Sequence, residues 1–157
     1  MPQPFSIDRS ESRVFKSTIL DRDFNLFIHL PDDYGEKDSY PILYALDGHV
    51  TFQVLTTICG CLAADGFIPK IIIVGISSFD YARMRMKDFT PTPVTNRPES
   101  GGAADFLSSL KQELIPFVES NYKADIQNRV LLGHSLSGLF CLYSLFQDVT
   151  LFNRYIS

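Results

Sequence analysis

The sequence predicts an α/β fold: a mostly parallel sheet with helices on both faces and an antiparallel hairpin at its N-terminal end. Three observations carry that expectation. Two short strand-like segments near the start, residues 13–20 and 24–30, are separated by Asp-Arg-Asp and read as a hairpin. PILYALD and KIIIVGISS are almost unbroken apolar runs, the pattern of strands covered on both faces. Beyond them, strand-type and helix-type patterns alternate to the last residue, as βαβ units require. The chain has 157 residues, 45% hydrophobic and 20% charged, with no linker or repeat, so residues 1–157 read as one domain.

Each element has its own signal. RVFKSTIL, residues 13–20, reads as the first strand. In the second, Phe24, Leu26, Ile28 and Leu30 share one face, and Asn25, Phe27 and His29 the other. PDDYGEKDSYP is a loop by composition. After the PILYALD strand, residues 51–64 are apolar and helical, weakened by threonines and Gly60. The Lys70–Ser78 strand leads into FDYARMRMKDFTPTPVTNRPESGG, whose prolines and glycines rule out a regular element across most of its length. Long loops of this kind in compact domains are functional or disordered. From Ala103 to Tyr122 the residues Phe106, Leu107, Leu110, Leu114, Phe117 and Val118 form one helical face, with a kink expected at Pro116. RVLLG is a strand, a helix runs from Leu136 to about Phe146, and NRYIS opens another strand.

Composition narrows the function classes. A formal net charge of -4 argues against a nucleic-acid binder, which usually carries a basic stripe. No run reaches the length of a membrane span, and MPQPFSIDRSESRVF lacks the charged start and apolar core of a secretory signal. Cys59 and Cys61 are too close for an easy mutual disulfide, so Cys59, Cys61 and Cys141 read as reduced, buried thiols in a cytoplasmic protein. No metal constellation, P-loop or dinucleotide fingerprint is present, so no cofactor and no metal are expected.

The chemistry points to RVLLGHSLSGLFCLYSLF, residues 129–146. An apolar strand, a sharp turn carrying Ser135 and a helix beginning at Leu136 form the arrangement that lifts a nucleophilic serine clear of the backbone. Gly133 supplies the first small residue of a G-x-S-x-G elbow. The second glycine position is Ser137, with Gly138 one residue later. The alternative is a junction in which Ser135 merely caps the helix.

The stretches HLPDDY, YPILYALDGH, IIIVGI, RMKDFTPTP and ELIPFVESNY running into RVLLGHSLSGLF resemble, in order and spacing, the esterase D-like family of α/β hydrolases. That family includes siderophore esterases, feruloyl and acetyl esterases, S-formylglutathione hydrolases and mycobacterial mycolyltransferases. DFTPTP followed by Gly-Gly and ELIPF most resembles the siderophore-esterase branch. The resemblance implies an α/β-hydrolase domain acting on a small-molecule carboxylic ester, with Ser135 as nucleophile. The backbone N–H groups of Leu136 and His49 would form the oxyanion hole, and Asp47 and Gly48 would shape the turn before His49. Arg83 and Arg85, with Lys87, could bind an anionic substrate or pair locally with Asp80 or Asp88. Phe52, Phe79 and Tyr81 could line an acyl or aryl pocket or belong to the core.

In hydrolases of this fold the acid and then the histidine follow the serine in the chain. After Ser135 the sequence contains one acid, Asp148, expected at the far end of the helix, and no histidine. His29 is expected to face solvent on its strand, His134 to diverge from Ser135, and His49 to lie near the site in a hydrogen-bonding role. The expectation is therefore an incomplete hydrolase fold that lacks the C-terminal strands and helices supplying acid and base. Three explanations stay open: a truncated esterase, a site completed by another chain, or a binding protein that kept the scaffold. The strand before Ser135 would be an exposed edge, which predicts oligomerisation or strand swapping.

Overall fold

A computed structural model describes residues 6–157, apart from the side chains of residues 81 and 82; part of the polar lead at the N-terminus, residues 1–5, thus lies outside the described residues. Six strands form one sheet in the order β1-β2-β4-β3-β5-β6. The hairpin of β1 (Ser10–Ser17) and β2 (Arg22–His29) is antiparallel, and β2 joins β4 (Ile72–Ser78) antiparallel. From there β4, β3 (Tyr40–Leu46), β5 (Ala124–Leu132) and β6 (Arg154–Ile156) run parallel.

The hairpin is offset from the sequence expectation. Ser17 pairs with Arg22, so the turn is residues 18–21, and Asp23, read as part of the link, pairs with Lys16 inside the ladder. The reason lies far away in the chain. Glu113 accepts hydrogen bonds from the Ser17 hydroxyl (2.6 Å), the Thr18 amide (3.0 Å), the Thr18 hydroxyl and the Ile19 amide (3.2 Å), pinning that turn to a helix. On β2 the expected alternation holds, with Phe24, Leu26 and Ile28 buried. His29 does not face solvent as expected. It is half-buried beside the Ser10 hydroxyl, at 3.0 Å from Nδ1, and burial pushes its pKa down.

Two apolar layers result from side chains that alternate along β3. Ile42, Tyr44 and Leu46 face the larger core, and Leu43 the smaller one. The helix α1 (Gly48–Ala64) covers the smaller face, where Phe52 packs with Leu43, Ile73 and Val130. On the larger face sit α2 (Tyr81–Phe89), α3 (Ala103–Ser109), α4 (Ile115–Asn121) and α5 (Leu136–Gln147). Phe106 ties this layer together, with ring centroids 5.9 Å from Phe24, 5.6 Å from Phe89 and 4.9 Å from Phe140. Cys141 is buried there, but Cys59 is half-buried and Cys61 exposed, because α1 turns its outer face to solvent; the expectation of three buried thiols fails for Cys61.

Two further departures have physical causes. The long segment after β4 contains α2, whose run Arg-Met-Arg-Met-Lys alternates basic and apolar residues and so shows no helical apolar period. The helix expected over residues 103–122 does not simply kink at Pro116. A π-helical segment, Leu110–Leu114, with the Ile115 amide bonded to the Leu110 carbonyl, separates α3 from α4, and Pro116 falls in the first turn of α4. Proline lacks the N–H that would bond the carbonyl four residues back, and a widened turn is one place to absorb that loss.

The sheet's connections decide where a site can form. From β3 the chain crosses to β4 on one side, whereas β5 lies on the other side and is followed outward by β6. Such a reversal opens a crevice beyond the carboxyl ends of the central parallel strands. Short β6 pairs with Val130–Leu132, so the edge strand is β6 rather than β5, against expectation.

Candidate active site

The turns after β3 and β5 leave the sheet at one level, since Ala45 pairs with Leu132 and Leu46 with Ile76. After β5, Ser135 adopts φ 61° and ψ −117°, a conformation a non-glycine residue rarely holds and which costs roughly 1–3 kcal/mol. The surrounding contacts impose it. A Cβ on Gly133 would lie 2.3 Å from the Ser137 carbonyl oxygen, so the strand and the helix N-terminus can approach this closely only because residue 133 has no side chain. Ser135 is exposed and makes no capping hydrogen bond. The helix-cap alternative therefore fails. The serine stands outward, as a nucleophile on an elbow does.

The turn after β3 brings the second amide-bearing segment. Asp47 is left-handed (φ 55°, ψ 41°) and α1 starts at Gly48. A Cβ on Gly48 would meet the Gly75 carbonyl carbon at 2.5 Å, so this helix start is pressed against β4. His49 lies in the first turn of α1 and Leu136 in the first turn of α5. Both amides thus belong to helix N-termini, whose N–H groups and positive dipole ends favour negative charge. The imidazole Nδ1 of His49 lies 3.2 Å from the Ser77 hydroxyl.

Between the two turns sits a buried polar cluster. The Asp47 carboxylate accepts from Arg85 Nε at 3.0 and 3.1 Å and from the Ser137 hydroxyl at 2.7 Å. Ser137 in turn accepts the His134 amide at 2.8 Å, and Arg85 Nη2 donates to the His134 carbonyl at 3.0 Å. Ser137 is therefore more than a small residue standing in for glycine, because its hydroxyl ties the elbow to Asp47. Beneath the elbow, burial first and the Asp47 charge second push the Cys141 thiol up to about 12, leaving it protonated and unreactive. A cavity of about 20 Å³, lined by Asp47, Ser77, Arg85 and Asp88 among others, adjoins the cluster and has room for a single water. Burial raises Asp88 to about 6 despite its ion pair with Arg22.

The other residues singled out in the sequence separate clearly. Arg83 is exposed on α2, where with Pro98 and Glu99 it lines an open crevice, and Arg85 turns inward to Asp47 rather than to Asp80 or Asp88. Phe52 belongs to the core, Phe79 is exposed past the end of β4, and the side chain of Tyr81 lies outside the described residues. Asp148 ends α5, paired to Lys111 Nζ at 2.5 Å and held well below the usual carboxylate range by that lysine and Thr150. A 12-residue helix separates it from Ser135, about 18 Å. His29 lies at the opposite end of the sheet, where it lines a cleft of about 360 Å³ with Arg9, Asp32 and Lys70; His134 is exposed. Among the described residues, no group of three or more His, Cys, Asp or Glu side chains could hold a metal ion, and no helix is long and apolar enough to cross a membrane. The Arg85–Asp47 pair escaped the sequence reading. The only trace was a basic residue in a loop expected to flank the site, 38 positions along the chain from its partner.

Comparison with known proteins adds a family. The family model described as "Putative esterase" matches residues 17–157. Ferri-bacillibactin esterase BesA of Bacillus subtilis is 28% identical over 98% of this chain and 58% of its own length. The crystal structure of the BES protein from Bacillus cereus superposes with a TM-score of 0.91 at 28% identity, over 99% of this chain and 63% of that one. An IroE-like serine hydrolase from Shewanella oneidensis superposes with a TM-score of 0.84 at 32% identity, over 93% of this chain and 49% of that one. This chain thus spans about half to two thirds of the length of these relatives.

Proposed function

The chain belongs to this esterase family, and from that membership we propose that it is the nucleophile-bearing part of a serine hydrolase of carboxylic esters. The observation that carries the proposal is the strained, exposed Ser135 between two helix N-termini. Ser135 Oγ attacks the ester carbonyl while its proton passes to a base. The carbonyl oxygen becomes an oxyanion, held by the amides of Leu136 and His49, each such donor contributing about 3 kcal/mol. Collapse of the tetrahedral intermediate breaks the bond to the alcohol, which leaves with the proton and deposits the acyl group on Ser135. Water then hydrolyses the acyl-enzyme by the same route in reverse order.

The base is a histidine outside these 157 residues, and removing such a histidine costs about 10⁶-fold in turnover. The names of the relatives support a substrate class, BesA being named a ferri-bacillibactin esterase. We propose a small-molecule siderophore ester, whose anionic groups would meet exposed Arg83. A second copy pairing along β6 is part of the same proposal, and a monodisperse monomer in sedimentation would count against it.

The competing reading is a non-catalytic binding protein on the same scaffold. It draws on the histidines, since His29 lies at the far end of the sheet and the His49 ring is engaged with Ser77. Hydrolysis of p-nitrophenyl acetate separates the two. The esterase reading predicts slow turnover above background that disappears in Ser135→Ala, whereas turnover indifferent to that substitution favours the binding protein.

A further inference from the structure

We propose that Arg85 is a positioning residue that straps the two amide-bearing turns together, setting the distance between the oxyanion donors. The purpose of the strap rests on the hydrolase reading above; its existence rests on geometry alone.

The two turns come from different parts of the chain, after β3 and after β5, and the sheet ladder between them stops at Ala45 and Leu132. Beyond that point β3 and β5 no longer bond each other, and each turn touches only its outer neighbour, Leu46 pairing with Ile76 of β4 and the Gly133 amide bonding the Ile156 carbonyl of β6. Donors that must converge on one oxygen need positions held to about 0.5 Å. Arg85 reaches in from α2, a third segment, and closes a ring. Its Nε grips the Asp47 carboxylate, its Nη2 grips the His134 carbonyl, and Ser137 links Asp47 back to the His134 amide. Asp47 immediately precedes Gly48-His49, and His134 immediately precedes Ser135-Leu136. The ring therefore clamps each turn at the residue just ahead of its donor segment.

The chemistry of each member fits the task. The Ser137 hydroxyl has one proton and lies within reach of both the Asp47 carboxylate and the His134 carbonyl. The charged acceptor makes the stronger bond, at 2.7 Å against 2.9 Å, which leaves the carbonyl to Arg85. A planar guanidinium presents donors in a fixed fork and so can serve two acceptors on different segments at a set separation. The point charge of a lysine can satisfy the carboxylate without fixing the second turn. Asp47 is 5% exposed, so its charge needs a partner, and its left-handed backbone needs an anchor. An ion pair would provide the first. The bond to His134 provides what charge balance alone does not.

The test uses the 157-residue chain with Arg85→Met, Arg85→Lys and the double variant Arg85→Met/Asp47→Asn. Two properties are read: amide hydrogen exchange by NMR at Thr51 and Leu139, whose N–H groups bond the Asp47 and Ser135 carbonyls within the two turns, and the rate at which a fluorophosphonate labels Ser135. Arg85→Met is expected to speed exchange at both amides by at least about tenfold. It should slow labelling by about a hundredfold, the size of effect a 1 Å misplacement produces. Arg85→Lys should recover folding stability but only part of the labelling rate. The double variant removes the unpaired carboxylate, so its melting temperature should recover while exchange and labelling stay impaired. Unchanged amides in Arg85→Met, or full recovery in the double variant, would show that Arg85 only balances charge and would overturn the proposal. Should Arg85→Met fail to fold, the lysine and double variants decide by the same criteria. If the serine of the unaltered chain labels too slowly to follow, as the absence of a base from these 157 residues allows, exchange at the two amides alone decides the strap.

Discussion

Replacing Ser137 by glycine would give the chain the G-x-S-x-G spacing of an ideal elbow, yet the structure predicts that this improvement in pattern damages the protein. The hydroxyl donates to the buried Asp47 carboxylate at 2.7 Å and accepts the His134 amide at 2.8 Å. A hydrogen bond to a charged, buried acceptor contributes about 1.5–3 kcal/mol. Glycine within the first turn of α5 costs up to about 1 kcal/mol more in backbone entropy. The expected loss is about 3 kcal/mol, which for a domain of this size lowers the melting temperature by about 10 °C. Urea denaturation of Ser137→Gly and Ser137→Ala beside the unaltered chain measures it. Alanine should retain about 1 kcal/mol relative to glycine, because it loses the hydroxyl without the backbone penalty. A glycine variant as stable as the unaltered chain would refute the reasoning, since it would mean that Asp47 and His134 lose nothing when the hydroxyl goes.

Two further outcomes follow from other parts of the fold. Burial raises the Glu113 pKa, but the bonds from Ser17, Thr18 and Ser109 outweigh it and bring the carboxyl from 4.5 down to about 2. A depressed folded-state pKa stabilises above the unfolded value and is lost as pH falls towards the folded one. The stability difference between the unaltered chain and Glu113→Gln should therefore be full above about pH 4.5 and vanish towards pH 2, as read by melting temperature across that range. A difference independent of pH would contradict it. Phe140→Ala should cost about 3–5 kcal/mol by chemical denaturation, because the ring is fully buried against Phe89 and Phe106 at the junction of α2, α3 and α5. A loss below about 1 kcal/mol would mean that the three helices pack independently of it.

What the sequence disclosed and what it hid divide along a physical line. Burial on both faces makes a strand nearly continuous in apolar residues, so β3 and β4 were legible, and the small residues around Ser135 announced a tight strand-to-helix bend. Features fixed by distant partners left no local trace. The β1–β2 turn sits where Glu113, some 95 residues later, can gather its amides. Helix α2 was hidden because, among its described side chains, only Asp88 and Phe89 at its end are fully buried, and it is anchored by the ion pair of Arg85 and by Gly102's bond to the Lys87 carbonyl. Ser137 looked like an imperfect glycine, since its value lies in a carboxylate 90 residues earlier. Charge pairs carry no periodicity, so the connections that shape this site appear only once the chain is folded.

The central claim is that the hydroxyl of Ser135 is the reactive group of this fold. It is tested most directly by treating the intact chain with an organophosphorus fluoride, weighing it, and locating any adduct by peptide mapping. The account predicts one covalent adduct, on Ser135, that is absent from Ser135→Ala. An adduct on another residue, or one that persists undiminished in that variant, would contradict it.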